Sequence, residues 1–497
     1  MKRKRKGSIT VFISLSLASV LLLFFLLLDL ARIQGQRKKA DLISDIAAQS
    51  VFADYNRYLW DNYRILGVDA SYGTGGGADF SLMESRMQEY LIKNGLSADT
   101  KGRDFYQLTT EVCEVSKYVF LTDDSGRAFL KQAAEQQKSE IAADAVKRTK
   151  DAIEQIKESR NENGDVEKMV DDGSSAMEKS AKNSETETQG NSEEYTKPGP
   201  DEVNPIEQIK EWKNNGILSQ VLPSSTKISV KKADLSETVS KRTLSKGSKA
   251  SEEKLSASEK ILFAEYEKSH FSNYRKNLGH DGLNYEWEYV LCGKDSDKDN
   301  LASTVSKLLV AREVENYASL MADEGKIAQA DTHALTLAGW TGNTAIINAV
   351  FWGLTAAWAY TESVLDVRLL LSGGKVSVFK SSDEWTTDNL LELADWFDVN
   401  KKAKECGIGI KYEDYLLILS GMQSQKTLGL RSLDLLENSV RMQRDYENLR
   451  LDQLVTGADF KYRYSSVPAF FSLFALSDRN FPTMKFEKTK KMTYLTK

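Results

Sequence analysis

The sequence predicts a mainly helical α+β fold behind an amino-terminal transmembrane helix. A charge-free apolar run, Ile9–Leu28, follows a basic cluster and is long enough to cross a membrane. Apolar residues at helical spacing continue beyond it as far as Leu59. From about Ser256 onward the chain contains several long segments with helical periodicity, whereas strand-like alternation is confined to short stretches.

Length and composition narrow the classes of protein. A chain of 497 residues is too long for one ordinary core, so two or more modules are expected. The net charge of -5, with 28% charged residues of both signs, gives no reason to expect a nucleic-acid partner. Three cysteines and three histidines, all widely spaced, predict neither a disulfide framework nor a histidine-based metal site. No cofactor is predicted.

The amino terminus carries the topological signal. A cytoplasmic basic leader (1–8) precedes the transmembrane helix (9–28), and its basic residues are Lys2, Arg3, Lys4, Arg5 and Lys6. Such a cluster holds the amino end in the cytoplasm and leaves the bulk of the chain outside. The alternative is a cleaved secretory signal. Ser16 and Ala18 resemble its cleavage site, but Leu21–Leu28 still follow them within the apolar run.

An amphipathic helix is predicted over 29–66. Its apolar face consists of Leu42, Ile43, Ile46, Ala47, Val51, Tyr55 and Leu59. A single helix over Ile9–Tyr63 would be about 80 Å long, with its first half in lipid and its second half on a soluble domain. The alternative is an ordinary anchor that leads into a separate amphipathic stalk. Gly35 would be a tolerated weak point.

A small α+β domain with a helical arm is predicted over 67–160. The glycine-rich stretch Gly67–Asp79 predicts a turn, Met83–Ile92 a short helix and Leu108–Leu121 one or two strands. The polar, alanine-rich segment Arg127–Glu158 predicts the arm. Residues 161–204 are poor in aromatic residues and predict a disordered linker.

A connecting segment (205–255) leads to a mainly helical extracytoplasmic domain over 256–497. Ser256 and Glu259 have capping-box spacing at its start. Helices are predicted at Leu301–Ala322, Ala334–Leu371, Leu390–Lys404, Tyr412–Met422 and Leu430–Leu451. Leu335–Tyr360 lacks charge, so a second membrane span is the alternative to a buried core helix. Phe460–Phe470 predicts an edge strand, because Pro468 would interrupt a central one.

Two acidic clusters are the candidates for chemistry. Asp295, Asp297 and Asp299 have the spacing of a calcium loop, but Asn300 and Ser306 replace its glycine and glutamate. They are weak metal candidates, and capping of a helix that begins near Leu301 is the preferred interpretation.

Glu362 and Asp366 lie four residues apart, with Arg368 close by, and could act as an acid pair. An ion-pair network with Arg312 from a neighbouring helix is preferred. No motif of a nucleophilic or nucleotide-dependent enzyme is present, so the protein is predicted not to be an enzyme.

The order of basic residues, Gly7, an apolar helix and a long amphipathic helix resembles type IV pilin-like proteins, particularly the TadE/TadG-like pseudopilins of Tad (Flp) pilus systems. The chain also resembles an uncharacterised membrane-anchored Firmicutes family that is often encoded beside Tad-type components. Beyond the amino terminus, the matching phrases are Phe120–Ala133, Tyr285–Leu301, Glu362–Val376 and Tyr412–Leu419.

This resemblance implies cleavage after Gly7 by a prepilin peptidase, which would leave Ser8 as the first residue. Phe12 stands where such pilins carry a glutamate, so the expected role is an accessory or minor component, not a major pilin. The implied partners are the membrane and other pilus or secretion-system proteins, including pseudopilins. The alternatives are a membrane-tethered metal-dependent hydrolase and a ligand-binding receptor module.

Overall fold

The computed structural model describes residues 6–74, 77–95, 106–163, 166–184, 203–248, 254–466 and 483–495. They are mostly helical and include one four-stranded sheet, which confirms the predicted α+β class. The chain divides into two compact units. The sheet unit comprises Met1–Gln132, Thr243–Glu253 and Val440–Lys497. The helical unit comprises Ala133–Arg242 and Lys254–Ser439.

The sheet unit combines one long helix with a sheet. Its elements are α1 (Lys6–Ala53), α2 (Arg57–Tyr63), β1 (Val68–Asp69), α3 (Phe80–Gly95), β2 (Thr109–Phe120), β3 (Leu454–Ser466) and β4 (Met484–Thr493). Between β2 and the helical unit, α4 (Asp123–Lys138) begins with three residues of positive φ before it becomes regular. The short helix and the strand predicted between 83 and 121 are confirmed as α3 and β2.

The long amphipathic helix ends earlier than predicted. α1 stops at Ala53, and a separate helix, α2, begins after Asn56, whose side chain accepts the backbone N–H of Leu59 at 2.9 Å. This cap supplies a helix start that the apolar periodicity does not reveal. Leu42, predicted on the buried face, is 60% exposed. The buried face of α1 consists of Ala40, Ile43, Ser44, Ala47, Ala48, Val51 and Phe52.

β3 is the central strand of the sheet. It pairs antiparallel with β1, β2 and β4, and Phe460 lies opposite both Val115 of β2 and Lys490 of β4. The edge position predicted for Phe460–Phe470 is therefore wrong, because alternation indicates a strand but not its neighbours. Pro468, on which that prediction depended, lies outside the described residues.

The domain predicted at 256–497 ends too late, since β3 and β4 complete the sheet of the other unit.

The helical unit contains eleven α-helices among the described residues. They are α5 (Ala143–Asn163), α6 (Val166–Ser184), α7 (Pro205–Lys213), α8 (Ile217–Val221), α9 (Ala257–His270), α10 (Glu286–Cys292), α11 (Asp297–Met321), α12 (Glu324–Ala338), α13 (Thr344–Ser372), α14 (Tyr412–Met422) and α15 (Gln425–Arg441). The capping box at Ser256 and Glu259 is confirmed at the start of α9.

α13 is the central core helix. It is buried almost without interruption from Val350 to Leu371, which confirms the core-helix prediction over the second membrane span. The predicted single helix at Ala334–Leu371 is broken. Gly342 adopts a left-handed φ of 61°, and the Asn343 side chain caps the backbone N–H of Ala345 at 3.0 Å.

Part of the predicted disordered linker is helical. α6 occupies Val166–Ser184 and packs against α13, while residues 185–202 lie outside the described residues. The two helices approach closely because Gly173 faces Gly353, and a Cβ added at Gly173 would lie 3.0 Å from the Gly353 Cα. Helices that pack through glycines need few large apolar side chains. The composition of α6 therefore resembles that of a disordered segment, although the helix is packed.

The helix predicted at Leu390–Lys404 is a 3₁₀ helix that ends at Trp396. The buried guanidinium of Arg368 takes the following carbonyl groups as hydrogen-bond acceptors. These are Trp396 at 2.9 Å, Phe397 at 3.1 Å, Asp398 at 2.7 Å and Lys401 at 2.9 Å. The arginine thus satisfies groups that a continuing helix would bond within itself. The helix predicted at Leu430–Leu451 also ends early, at Arg441.

Candidate functional site

The predicted aspartate cluster does not form one site. Asp297 is fully buried and accepts the backbone N–H groups of Asn284 and Tyr285, each at 3.0 Å, and the hydroxyl of Ser229 at 2.6 Å. Asp299 accepts the Ser296 hydroxyl at 2.6 Å. The described residues contain no group of three histidine, cysteine or acidic side chains that could hold a metal ion.

Residues of the aspartate segment cap the amino-terminal end of α11. The cap is Ser296, whose hydroxyl accepts the backbone N–H of Asp299 at 3.1 Å, and the helix begins at Asp297, not near Leu301. The backbone carbonyl of Asp295 accepts the N–H of Ala233 at 3.1 Å. The three aspartates therefore differ in function: one holds a turn, one closes a cap, and one contributes its backbone.

The acid pair on α13 belongs to a buried ion-pair network, as predicted. Arg312 of α11 donates to Asp366 from Nη2 at 2.7 Å and from Nε at 3.0 Å. Lys380 donates to Asp366 at 2.6 Å and also to Glu362. Arg368 does not join them, because it binds the carbonyl groups described above. Burial raises the pKa of Asp366, but Arg312 and Lys380 outweigh burial and hold it below its ordinary value.

The network is larger than the sequence indicates. Arg312 also contacts Glu315 and donates to the Tyr415 hydroxyl at 2.9 Å, and that hydroxyl donates to Glu315 at 2.8 Å. Burial raises the pKa of Glu315 to about 7, although Arg312 opposes the rise. Glu315 lies three residues after Arg312 on one helix, a spacing that could have revealed it. Lys380 comes from a loop, where periodicity gives no signal.

This arrangement is suited to holding helices together. Arg312, Glu315, Glu362 and Asp366 are each 0% exposed, and Lys380 is 7% exposed. Glu362 also accepts the backbone N–H groups of Thr386 and Thr387, both at 3.0 Å. Since each acid is committed to a cation or to backbone donors, the network fixes the loop after α13 to the core.

The first half of α1 is a second kind of site, an apolar surface. In the described part of the chain, one helix is long and apolar enough to cross a membrane. It extends from Ile9. Its most apolar stretch of 18 residues has a mean hydropathy of 2.8 and contains no buried residue. Signal sequences share these properties. Side chains such as Ile9, Phe12 and Leu15 are 63%, 70% and 67% exposed.

Burial of α1 begins with polar residues. Asp29, Arg32 and Gln36 are 4%, 3% and 1% exposed, one helical turn apart. The backbone carbonyl of Tyr106 accepts from Arg32 at 2.9 Å and from Gln36 at 2.5 Å. Gly35 lies beneath the same residue. A Cβ added to Gly35 would lie 2.5 Å from the Tyr106 ring, so the predicted weak point is a close contact.

The second half of α1 is tied to the sheet by hydrogen bonds and ion pairs. The hydroxyls of Ser44 and Tyr464 lie 2.5 Å apart, and Lys490 of β4 contacts Asp41 and Asp45, each at 2.9 Å. The hydrogen bond and positive charge of Lys490 lower the pKa of Asp41. The described part of α1 therefore has an exposed apolar first half and a second half that is packed against the sheet.

The remaining predicted site residues are at the amino terminus. Gly7 and Ser8 lie in the first turns of α1, which begins at Lys6. Lys2, Arg3, Lys4 and Arg5 lie outside the described residues. The predicted roles of these residues in processing and orientation stay predictions.

Comparison with known proteins places the chain in a family. The model of a family of unknown function (DUF5702) matches residues 194–466, more than half of the chain. The match ends with the last residue of β3 and includes most of the helical unit. No curated protein and no solved structure matches the chain. The chain therefore belongs to the DUF5702 family.

Proposed function

We propose that this protein is a membrane-anchored, extracytoplasmic accessory component, of the minor pseudopilin type, in a Tad-like pilus or a related secretion system. The observation that carries the proposal is the division of α1. Its first part is apolar and exposed, and its second part is buried against an antiparallel sheet. A helix built in this way can associate laterally in a membrane while its other end carries a folded head.

The exposed part of α1 suits a lipid environment. Ile9–Leu28, at 1.5 Å per residue, is about 30 Å long, which matches the hydrocarbon core. The hydroxyls of Ser14 and Ser19 donate to the backbone carbonyls of Val11 and Leu15, both at 2.9 Å. They therefore need no water inside the membrane. A retained anchor is favoured over a signal sequence, because the same helix continues into the buried half.

The basic cluster before Gly7 supports a cytoplasmic amino terminus and an extracytoplasmic bulk. This orientation can be tested with Ser139→Cys, at an exposed position, in a chain whose three cysteines are replaced by serine. We expect a membrane-impermeant maleimide to label it in intact cells. Labelling that requires cell lysis would contradict the orientation without addressing pilus association.

The terminal residue of the native protein tests the pilin-like part of the proposal. Mass spectrometry of the terminal peptide, from membranes and from a sheared surface fraction, should find Ser8 as the first residue. A Gly7→Ala variant should retain the uncut end, and Ser8→Ala is the matched control that should still be cut. If Met1 or Lys2 is the terminus in membranes, and none of the protein is in the sheared fraction, the chain is a permanent anchor outside the filament.

A further inference from the structure

The helical unit contains a polar pocket that no role described above uses. Its volume is about 350 Å³, and it opens to solvent. Its lining includes three asparagines, two tyrosines and one lysine: Asn273, Asn277, Asn284, Tyr274, Tyr285 and Lys227. All of these residues lie inside the segment that matches the family.

Buried hydrogen bonds hold the pocket in shape. Asp297 accepts the backbone N–H groups of Asn284 and Tyr285 and the hydroxyl of Ser229, as described above. The Asn284 amide donates to the Ser229 hydroxyl at 3.2 Å, and the Tyr285 hydroxyl accepts the Ser229 N–H at 2.9 Å. Ser229, Asn284 and Tyr285 are therefore positioned before any ligand arrives, which lowers the entropic cost of binding.

The asparagines have hydrogen-bonding capacity left over. Asn273 is 2% exposed, and its Oδ1 accepts the N–H groups of Arg275 and Lys276 at 2.9 and 3.0 Å. Its Nδ2 makes no hydrogen bond to any described residue, but the atom is shielded from solvent and therefore from a ligand. Asn277 uses its Oδ1 to accept the N–H of Gly279 at 2.7 Å. Asn277 is exposed, so its Nδ2 can donate to an acceptor atom of a ligand.

We propose that this pocket binds a saccharide, of one or two sugar rings for each pocket. Sugar hydroxyls both donate and accept hydrogen bonds, and the carboxamides of Asn277 and Asn284 offer both functions. The half-buried Tyr274 presents an aromatic ring, which suits the C–H face of a sugar. The volume is at the lower end of the range of small-molecule sites.

The composition of the lining disfavours cationic ligands and peptides. None of the described lining residues has a carboxylate, and Lys227 is the one charged residue among them, so a cationic ligand would find no opposite charge there. Ile228 is the one aliphatic residue in the described lining, so an apolar peptide side chain would find little aliphatic surface there. The described lining also contains no strand edge to which a peptide backbone could pair.

The test uses the full-length chain in lipid nanodiscs, because many detergents are themselves glycosides. Saturation-transfer NMR and calorimetry would measure binding of tri-N-acetylglucosamine and maltotriose, with tetraglycine as the peptide probe. We expect saturable binding of at least one saccharide and none of tetraglycine. Asn277→Ala removes one hydrogen-bonding amide, and Tyr274→Leu removes the aromatic ring, so each should weaken binding by a factor of about 5.

Asn62→Ala is the matched control, since Asn62 is an exposed asparagine on α2, outside the pocket. Its binding and that of the unchanged chain should agree within a factor of about 2. The proposal is overturned if neither saccharide binds, if tetraglycine binds as well as the sugars, or if the pocket variants bind like the control. It does not depend on the pilus proposal, since no terminal processing or membrane partner enters the measurement.

Discussion

At the scale of single residues, Asp366 is the centre of the buried network. It is fully buried and shared by the two cations Arg312 and Lys380. Asp366→Asn keeps the shape of the side chain but removes the charge that both cations share. We expect the free energy of unfolding to fall by about 3 kcal/mol or more, because breaking one member of a buried ion pair leaves uncompensated charge. Urea denaturation of the full chain in nanodiscs, followed by tryptophan fluorescence, measures the change.

Asp388→Asn is the control for this prediction. The Asp388 side chain is 73% exposed and lies 3.9 Å from Lys404, so its loss should cost less than about 1 kcal/mol. Equal effects of the two substitutions would mean that the network contributes nothing beyond a surface pair. The sequence predicted the contact between Arg312 and the acid pair because both lie on periodic helices. It could not predict Lys380, because a loop position has no such pattern.

At the scale of elements, Gly35 allows α1 to pack closely against Tyr106. Glycine within a helix is about 1 kcal/mol less favourable than alanine, so Gly35→Ala in an isolated helix would be stabilising. Here the added Cβ would lie 2.5 Å from the Tyr106 ring, and we expect the sign to reverse, with a loss of about 1–3 kcal/mol. Thermal denaturation of the full chain in nanodiscs would detect a lower midpoint.

Two further variants separate the contact from the helix itself. Gly325→Ala, in the first turn of α12, would meet one atom, Asp323 Oδ1 at 3.3 Å, and should be neutral or stabilising. In a Tyr106→Ala background, Gly35→Ala should lose its cost, because the ring is gone. A persisting cost in that background would contradict the contact. Periodicity predicted α1 itself, but a close approach between residues 35 and 106 leaves no local signature.

At the scale of the whole molecule, the carboxyl-terminal strands complete a unit that begins with the first helix. Local patterns predicted the α+β class, the helical content and a strand near Phe460. They could not predict that β3 is central, because its partner β2 precedes the helical unit and its partner β4 follows a further segment of the chain. Strand pairing depends on side-chain packing across the sheet, and the sequence of one strand does not specify its partner.

This arrangement predicts a graded response to truncation. A chain that ends at Ser439 loses β3 and β4. The buried face of α1 then loses Phe460, Tyr462 and Tyr464, each 0% exposed. We expect hydrogen exchange to accelerate in β2 and in the second half of α1, while α11 and α13 keep their protection.

A chain that ends at Ser466 keeps β3 and serves as the control, in which β2 should stay protected. If β2 is equally protected in both chains, pairing with β3 does not stabilise it. If α13 loses protection in the shorter chain, the helical unit depends on residues outside it.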